Sequence, residues 1–486
     1  MSKQGNLIPV FKEFLGDIET PVSAYFKIED KTFSYLLESA ELGEEWGRYS
    51  FIGYKPYLVV KAYDQEIHIE KNGKKKIIKG GQNPLEILRE LSHDFRPVTI
   101  GGLSPFQGGL VGYVNYDLIR KWERLPGLSA ASPMLPEAVF SVVRRLIVFD
   151  HLTYKIKVVA FVHLSGEKNL KNAYDEACGE IDKTVDELRR PLINVCTGEQ
   201  FAISKLKSNF ERERFKSAVL KAKEYIVAGD IIQVVLSQRF SARLTGDTFG
   251  LYRHLRSINP SPYMFYLNFD DIKLIGASPE ILVRLTDGKI EVRPIAGTRA
   301  RGETLDADKA LEEDLMSDPK ERAEHIMLVD LGRNDVGKVA MPGTVTVPRL
   351  MEVERYSHVM HIVSRVEGVL KSGVDSFDVF MAAFPAGTVS GAPKIRAMEI
   401  INELEGSPRG PYAGAVGYFG FNGNMDFCIT IRTIAVIKDR LFIQVGAGIV
   451  ADSTPEGEYE ETLRKGKAMF KAVEKVMEND SVNRQL

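Results

Sequence analysis

The sequence predicts an α+β fold, because strand-like and helical segments alternate without the regular β-α-β order of a parallel sheet. Two observations carry this prediction. Roughly the first 190 residues contain short β-like runs between Gly and Pro turns, and the rest is mostly strand-like with a few longer helical stretches. The composition, 44% hydrophobic and 27% charged over 486 residues, is that of a globular protein with two to three domains.

The N-terminal segment is predicted to form strands followed by a helix. The β-like runs are SFIGY, YLVVKAY, AVFSVVRRLIVFDH and KIKVVAFVHL, and the charged helical stretch AYDEACGEIDKTVDELRR comes after them. Pro191 and a weakly patterned stretch then mark a boundary. We therefore predict one domain over residues 1–200 and a second over residues 201–486.

The second domain begins with a predicted helix. Ser208 and Glu211 have the spacing of a capping box that opens a helix through about Ile226, and the strand IIQVVLSQRFSARL follows it. Further helices are predicted near 306–336, 375–405 and 455–478.

Charge and cysteine content exclude several classes of function. Sixty-four basic and sixty-six acidic residues give a net charge of −2, so no global field favours nucleic acid or anionic lipid. The N-terminus lacks an apolar signal region, and no apolar run approaches the ~18 residues of a membrane span, so we expect a cytoplasmic protein. The three scattered cysteines, Cys178, Cys196 and Cys428, are interpreted as small buried residues rather than a disulfide or zinc set.

Two acidic pairs are the first candidate for a functional site. Glu321 and Glu324 lie on the helical stripe that carries Leu328 and Leu331, so the face that should enter the core begins with two acids. Burying an unpaired carboxylate costs several kcal/mol. This helix face is therefore either exposed to solvent or in contact with a cation.

The second acidic pair begins the last predicted helix, where Asp452, Ser453 or Thr454 can cap. Its members, Glu458 and Glu461, are again three residues apart. An exposed ion pair between Glu461 and Lys465 is the simpler interpretation of this helix alone. Two helices with carboxylates one turn apart could instead hold a hard divalent cation such as Mg²⁺.

An arginine close to glycines is a second candidate site. If Asp439 and Arg440 form a two-residue hairpin turn, Arg432 faces Ala447, between Gly446 and Gly448. An arginine fork beside bare backbone suits a carboxylate. A structural arginine beside a glycine bulge is an equal alternative.

A histidine and a glycine-rich turn complete the candidates found from the residues themselves. His361 lies in VMHIVSRVEGVL, which is apolar on both faces like a central strand, so a hydrogen-bonded core histidine is the first interpretation and a catalyst the second. FPAGTVSGAPK presents backbone amides before a helix and suits an anion, although its spacing is not that of a P-loop.

The chain resembles the chorismate-utilising enzymes. The motifs, in order, are GDIIQVVLSQRF, GASPEILV, PIAGTRARG, DPKERAEHIMLVDLGRND, HVMH, FPAGTVSGAPK, GPYAGAVGY, CITIRT and GAGIVADSTPEGEYEET, which span about residues 205–475. The segment LLESAELGEEWGRYSFIG, upstream of these motifs, and the segment NPSPYMFY, within their span, are similar to tryptophan-binding elements of anthranilate synthase large subunits. The resemblance implies stacked, largely antiparallel β-sheets with helices on the outside.

The resemblance also implies roles for individual residues. In this family a Mg²⁺ ion binds the ring carboxylate of chorismate, which implies Glu321, Glu324, Glu458 and Glu461 as ligands here. Glu280 matches the general acid for loss of the ring 4-hydroxyl while ammonia attacks C2, and needs a raised pKa for that role. His361 matches the residue implicated in removing the C2 proton with loss of pyruvate. The other implied site residues are Gln233 and Thr298 in the catalytic set, and Thr388, Tyr412, Arg432, Gly446, Ala447, Gly448 and Lys465 in the substrate-binding set.

Two positions distinguish branches of the family. Isochorismate and salicylate synthases carry Lys where Gln233 stands, because they must activate water, and ammonia needs no such base. Aminodeoxychorismate synthases carry a nucleophilic Lys where Ala296 stands. These differences favour anthranilate formation. An aminodeoxyisochorismate synthase is the enzymatic alternative, and a binding or regulatory protein that kept the fold is the alternative of a different class.

The resemblance further implies partners and feedback control. The cysteines have no context typical of a glutaminase nucleophile, so ammonia should come from a separate glutamine amidotransferase subunit, with two copies of each subunit in a heterotetramer. Tryptophan is the implied inhibitor, bound across both halves of the chain. The matching residues are Glu38, Ser39, Arg48, Tyr49, Ser50, Asn259, Pro260, Ser261, Pro262, Tyr263 and Met264, with Phe265 beside them.

Overall fold

The structure is a computed structural model, and it describes residues 5–28, 31–40, 47–98, 100–126, 135–164, 169–192, 201–356 and 359–482, with side chains to residue 478. Its α-helices are α1 (Pro21–Lys27), α2 (Pro84–His93), α3 (Leu170–Arg189), α4 (Arg212–Val227), α5 (Phe249–Ile258), α6 (Leu305–Ser317), α7 (Pro319–Gly337), α8 (Ser376–Ala383), α9 (Lys394–Glu405) and α10 (Pro455–Val482). None of these described helices is both long enough and apolar enough to cross a membrane.

The described strands fall into an N-terminal and a C-terminal group. The first comprises β1 (Leu7–Leu15), β2 (Ser34–Glu38), β3 (Tyr49–Ala62), β4 (Glu66–Lys71), β5 (Lys74–Lys79), β6 (Gly109–Val114), β7 (Ala138–Asp150) and β8 (Lys155–His163). The second comprises β9 (Ala202–Ile203), β10 (Lys207–Ser208), β11 (Gln233–Thr245), β12 (Tyr263–Phe269), β13 (Ile272–Ser278), β14 (Ile281–Thr286), β15 (Lys289–Val292), β16 (Ile295–Ala300), β17 (Thr346–Arg355), β18 (Val359–Val369), β19 (Gly391–Ala392), β20 (Ala415–Gly420), β21 (Met425–Ile429), β22 (Thr433–Ile437) and β23 (Arg440–Ile449).

The named strands pair antiparallel along two routes from the N-terminal strands. One route runs β3, β2, β12, β13, β22, β23, β11. The other runs β7, β6, β20, β21, β14, β15, β18, with β16 and β17 also on β18. This layered antiparallel architecture confirms the predicted fold class. The first route ends in β11, which carries Gln233, and the second ends in β18, which carries His361. Both routes must therefore fold to bring these two residues together.

The two predicted domains share their sheets. Strand β2 pairs with β12, and β6 pairs with β20, so backbone ladders cross from residues 1–200 to residues 201–486. The buried cores mix the halves as well, with Leu36 and Ile147 in the same cluster as Leu251 and Ile443. Residues on either side of the predicted boundary are therefore coupled by hydrogen bonds and by packing.

The capping box predicted at the start of α4 is wrong, whereas the helix itself is present over Arg212–Val227. Ser208 lies in β10 and not at a helix cap: its hydroxyl donates to Gln238 (2.8 Å) and accepts from the Phe210 amide (3.0 Å). Helix α4 starts after Glu211, whose side chain makes no capping hydrogen bond. The spacing is that of a capping box, but the Ser208 hydroxyl bonds to the Phe210 amide and to Gln238 of the adjacent strand and does not bond to a helix end.

The predicted long helices near 306–336 and 375–405 are each divided in two. Asp318 ends α6 and caps α7 through the amides of Lys320 and Glu321, and Pro319 has no amide hydrogen with which to continue α6. A proline-containing turn separates α8 from α9.

The predicted hairpin register is also wrong. The turn is Lys438–Asp439, so Ile437 pairs with Arg440 and Val436 with Leu441. Arg432 does not lie opposite Ala447 in the ladder, because β21 ends at Ile429 and β22 starts at Thr433. Arg432 itself has a φ of 50°, a left-handed conformation that interrupts any continuous strand.

Candidate active site

The first acidic pair lies at the start of α7 and meets an arginine. Glu321 and Glu324 are both partly buried on the face that continues to buried Leu328. The guanidinium of Arg299, in β16, contacts three acids: Asp314 (2.7 Å), Asp318 (3.0 Å) and Glu321 (3.3 Å). Burial raises the pKa of Glu321, Arg299 opposes that shift, and the nearby charge of Glu324 adds to it. The cation required by sequence reasoning is thus partly supplied by Arg299, which that reasoning missed.

Glu324 has a neutral partner. The side-chain amide of Gln233, at the start of β11, donates to Glu324 at 3.2 Å. The same amide lies against Gly448 of β23, where an added Cβ would come within 2.5 Å of Gln233 Nε2. Gln233 Oε1 is buried without a hydrogen-bond partner among the described residues. A glycine at 448 is therefore a steric requirement for this placement of the amide.

The second acidic pair opens α10. The hydroxyl of Thr454 accepts from the Gly457 amide at 3.2 Å, which confirms one of the predicted caps. Glu458 accepts from Ser453 (2.7 Å), and burial raises its pKa. Glu461 contacts Arg464 at 2.7 Å and Lys465 at 3.5 Å.

The ion pair expected from helix spacing, Glu461 with Lys465, is therefore present. Within the described residues, no three His, Cys, Asp or Glu side chains lie close enough together to hold one ion. The reason is visible in their partners: Arg299, Gln233, Ser453 and Arg464 each hold one of the four carboxylates. Their oxygen-donor chemistry still suits Mg²⁺, and the four-carboxylate site stays a prediction.

Glu280 has the character expected of a general acid. It lies between β13 and β14 with 9% of its surface exposed, and burial raises the pKa of its carboxyl to about 7. The Thr388 hydroxyl and the charge of Lys465 both oppose that rise. Thr388 Oγ1 is buried near this carboxyl, and no hydrogen bond of ordinary length and angle joins it to a described residue. A carboxyl with this pKa can give up a proton near neutral pH.

Arg432 and Tyr412 occupy one region of the site. Burial lowers the pKa of Arg432, and Glu461 and Tyr412 oppose that shift. The guanidinium donates to the backbone carbonyl of Lys465, which ties the left-handed residue to α10. Gly446 leaves room for the Tyr412 hydroxyl, since a Cβ there would lie 2.4 Å from that oxygen. The glycines of β23 thus accommodate Tyr412 and Gln233, whereas sequence reasoning assigned them to Arg432.

His361 lies in the central strand β18, paired with β16 on one side and β17 on the other. Its Nδ1 is 3.0 Å from the Gly297 carbonyl and 3.0 Å from Thr298 Oγ1. A carbonyl oxygen only accepts, so Nδ1 carries the proton and Nε2 keeps a lone pair. Burial lowers the pKa of His361, with a smaller lowering from Arg432, so the neutral form is favoured. The ring is partly exposed and is available as a base.

These groups form one connected region. Gln233 joins β11 to α7, Arg432 joins the end of β21 to α10, and Lys465 influences both Glu280 and Glu458. A groove of about 1500 Å³ opens beside Lys320 and Glu324.

A separate cluster contains the residues predicted to bind an inhibitor. The ladder places Glu38 beside Met264, and the Ala40 amide donates to the Ser261 carbonyl at 3.1 Å. A cavity of about 100 Å³ lies there, lined by Glu38, Ser39, Tyr49, Pro262, Tyr263 and Met264 among others. Ser39 Oγ is buried without a partner among the described residues. The two halves of the chain do meet at these positions.

The charged members of that cluster already have partners. Arg256 donates to both oxygens of Glu38 at 3.1 Å, and the Tyr252 hydroxyl also donates to this carboxylate. Arg48 makes a two-point contact with Asp150 at 3.1 and 2.9 Å. Asn259 donates to Ser261 at 3.3 Å. Tyr252, Arg256 and Asp150 were missed by sequence reasoning because their contacts join distant segments.

Ser50 has a partner that the sequence also did not indicate. Its hydroxyl lies 2.7 Å from His151 Nε2, and burial lowers the pKa of that imidazole. Pro260, another residue of the predicted inhibitor site, lies between α5 and β12.

Comparison with known proteins identifies the family. The profile described as chorismate binding enzyme matches residues 33–471. The chain belongs to the chorismate-binding enzyme family. Anthranilate synthase component 1 of Aquifex aeolicus is 51% identical to this family member over 482 residues, which cover 98% of this chain and 96% of that protein. The Acetivibrio thermocellus protein of the same name is 48% identical over 485 residues, covering 98% and 97%.

A solved structure agrees with this assignment to the chorismate-binding enzymes. Anthranilate synthase component I from Streptococcus pneumoniae TIGR4 superposes with a TM-score of 0.76 and 37% identity, covering 94% of this chain and 98% of that one. The family resemblance inferred from the ordered motifs is therefore confirmed.

Proposed function

We propose that this chain is the synthase subunit of an anthranilate synthase, which converts chorismate and ammonia to anthranilate, pyruvate and water as the first step of tryptophan biosynthesis. One observation carries the proposal: Glu280 is a buried carboxyl with a pKa of about 7, near Lys465, whose backbone carbonyl accepts from Arg432, and the charge of Arg432 in turn acts on His361. The names of the relatives at 48–51% identity support the reaction. The residues present give each step a chemically suitable group.

Substrate binding uses the cationic and hydrogen-bonding side of the region. The fork of Arg432 and the hydroxyl of Tyr412 hold the enolpyruvyl carboxylate, with the backbone amide of Gly448 as a further donor. Holding the ring in one orientation places C2 and C4 relative to the catalytic groups, and such positioning contributes several kcal/mol to many reactions.

Amination uses Glu280 as the general acid. Ammonia forms the new bond at C2, the ring double bonds shift, and the C4–oxygen bond breaks. The leaving hydroxyl takes the proton of Glu280 and departs as water. Gln233 is neutral and cannot activate water, so it does not direct the reaction toward isochorismate.

Elimination uses His361 as the base. Nε2 takes the C2 proton, the electrons of that bond form the C2–C3 double bond that completes the aromatic ring, and the C3–oxygen bond breaks. The enolate of pyruvate leaves with the electrons of the broken bond and takes up a proton at carbon to give pyruvate. Gly297 and Thr298 fix the ring of His361 through Nδ1, which leaves Nε2 directed to the reaction. An enzyme with amination but no elimination would release a non-aromatic amino acid instead.

Mg²⁺ is the proposed cofactor, with Glu321, Glu324, Glu458 and Glu461 as its ligands. When bound, it would neutralise the ring carboxylate of chorismate and anchor that end of the substrate. The raised pKa values of Glu321 and Glu458 reflect burial of carboxylates that a cation would stabilise in their charged form.

Ammonia supply and control complete the proposal. We propose a separate glutamine amidotransferase subunit as the ammonia source, in a heterotetramer of two synthase and two glutaminase subunits. Tryptophan is the proposed feedback inhibitor at the Glu38 cluster, since a ligand that joins β2 to β12 can favour one arrangement of the two halves by binding it more tightly.

The test is direct. Purified protein is mixed with chorismate, Mg²⁺ and excess ammonium at mildly alkaline pH, and anthranilate is followed by fluorescence and mass spectrometry. We expect anthranilate and pyruvate in equal amounts. A non-aromatic aminated product would instead identify an aminodeoxyisochorismate synthase, and no product from well-folded protein would indicate a binding protein.

A further inference from the structure

We infer that Arg409 and Glu405 form a buried positioning pair for the active site, a role that rests on the proposed function. Arg409 is 2% exposed and Glu405 is 6% exposed. The pair is bidentate, with Arg409 Nε 3.0 Å from one carboxylate oxygen and Nη2 2.5 Å from the other. Neither side chain belongs to the residues assigned above to substrate, cation or proton transfer.

The remaining donors of Arg409 reach two segments that carry active-site residues. Nη1 donates to the Val389 carbonyl at 2.7 Å, immediately after Thr388. Nη2 donates to the Val235 carbonyl at 2.6 Å, two residues after Gln233 in β11. One guanidinium thus joins two segments, the turn that carries Thr388 and the strand β11 that carries Gln233. Lysine has no planar fork with which to reach both carbonyls and Glu405.

Glu405 and an aromatic ring extend the network. Glu405 Oε1 accepts from the amide and the hydroxyl of Ser237, at 2.8 and 2.9 Å, which fixes the next part of β11. The Arg409 guanidinium also lies 5.6 Å from the ring centroid of Tyr412. Thr388, Gln233 and Tyr412 lie on separate segments, and all three segments contact this one buried pair. The pair therefore sets their relative positions.

Replacing both members of the pair together separates a positioning role from simple stabilisation. Removing one member of a buried ion pair leaves an unpaired charge and is strongly destabilising, whereas replacing both with apolar groups of similar size is often neutral for stability. Arg409→Met with Glu405→Leu should therefore fold but lose the links to Val389 and Val235. A displacement of about 1 Å at reacting groups can cost on the order of 100-fold in rate.

The test compares this double variant with a matched buried pair elsewhere. Arg145 is also 2% exposed and joins β7 to α3 in the N-terminal half, where it contacts buried Glu187 at 3.5 Å. It also pairs with Glu180, which is partly exposed and keeps a contact with Lys183 at 3.3 Å when Arg145 is replaced. For Arg409→Met with Glu405→Leu we expect chorismate kcat/KM to fall about 100-fold while KM for ammonium stays within about twofold. Arg145→Met with Glu187→Leu should leave both parameters near the wild-type values.

Hydrogen exchange supplies a readout that does not require activity. Residues 233–238 and 386–393 should exchange faster in the Arg409→Met/Glu405→Leu protein than in wild type, and should be unchanged in the control. If the double variant does not fold, Arg409→Lys, which keeps a cation beside Glu405 but lacks the planar fork, should give the same local change. Unchanged exchange in both segments would overturn the positioning role. Failure of wild-type protein to make anthranilate would refute the proposed function alone, because the exchange comparison would still decide this inference.

Discussion

Replacing Glu280 with Gln removes the proposed proton donor and also an energetic cost of folding. The amide keeps the shape of the side chain but cannot donate the carboxyl proton. General acid catalysis typically contributes 10²–10⁴-fold, so we expect kcat to fall by roughly that factor. Because burial raises the pKa of Glu280 from 4.5 to about 7, the same change should alter stability in a pH-dependent way.

The sign and size follow from the pKa shift. Between pH 4.5 and 7 the folded protein holds a proton on Glu280 that the unfolded chain has lost, so the stability contributed by this group falls as pH rises through that interval. Charging Glu280 in the folded state above pH 7 costs about 3 kcal/mol, since each pKa unit corresponds to about 1.4 kcal/mol. Glu280→Gln should therefore be more stable than wild type at pH 8, and its advantage should disappear by pH 4.5.

The assay is the melting temperature of both proteins at pH 8 and at pH 5, measured beside anthranilate formation. For a chain of this length, 3 kcal/mol corresponds to roughly 3 °C. Glu474→Gln, at an exposed position of α10, is the control and should show no such pH dependence. A loss of activity with the same melting difference at both pH values would refute the argument that Glu280 is held protonated by burial.

Three further predictions concern separate parts of the protein. Glu461→Gln should lower anthranilate formation at least about 100-fold with the circular dichroism spectrum unchanged, because it removes a proposed anionic ligand, whereas the neighbouring Glu460→Gln should stay active. His361→Asn should slow aromatisation roughly 10²–10⁴-fold and let a non-aromatic aminated product accumulate, detectable by mass spectrometry; equal slowing of chorismate consumption would contradict this assignment. Ser39→Phe should fill the cavity beside Glu38, keep turnover and abolish inhibition by tryptophan; normal inhibition in a tryptophan titration would refute the regulatory mapping.

Local sequence patterns predicted the elements that carry most of the site. The start of α10, for which Thr454 was one of three possible caps, the central position of β18 and the location of the two acidic pairs on helices follow from residue spacing, and the structure agrees with them. The raised pKa required of Glu280 followed from its implied chemical role, and burial provides it. These features depend on a few consecutive residues or on ordered motifs.

The errors have a common physical cause. Arg432 adopts a left-handed conformation stabilised by a contact with the carbonyl of Lys465, 33 residues later, so a strand that looks continuous is broken. Ser208 has an ideal capping pattern but bonds to Gln238 in the adjacent strand. Arg299 and Arg409 act through partners supplied by separate segments. Periodicity contains no information on such long-range contacts.

The partners of the four acids predict which of them responds most to a divalent cation. Glu321 already has Arg299, and Glu461 has Arg464 and Lys465. Within the described part of the chain, Glu324 and Glu458 form no ion pair in direct contact and accept hydrogen bonds from the neutral groups of Gln233 and Ser453. The charges of Lys465 and Lys320 act on Glu458 only from a greater distance.

A bound cation therefore gains most of its new charge attraction from Glu324 and Glu458, because Glu321 and Glu461 must share their charge with cations in direct contact. Glu324→Gln and Glu458→Gln should each weaken Mg²⁺ binding, measured by calorimetry, by at least about tenfold more than Glu321→Gln. Equal losses at all three positions would show that Arg299 releases Glu321 when the ion binds. If Arg299 does release Glu321, Arg299→Gln should also change the affinity for Mg²⁺. An unchanged affinity would show that the equal losses have another cause.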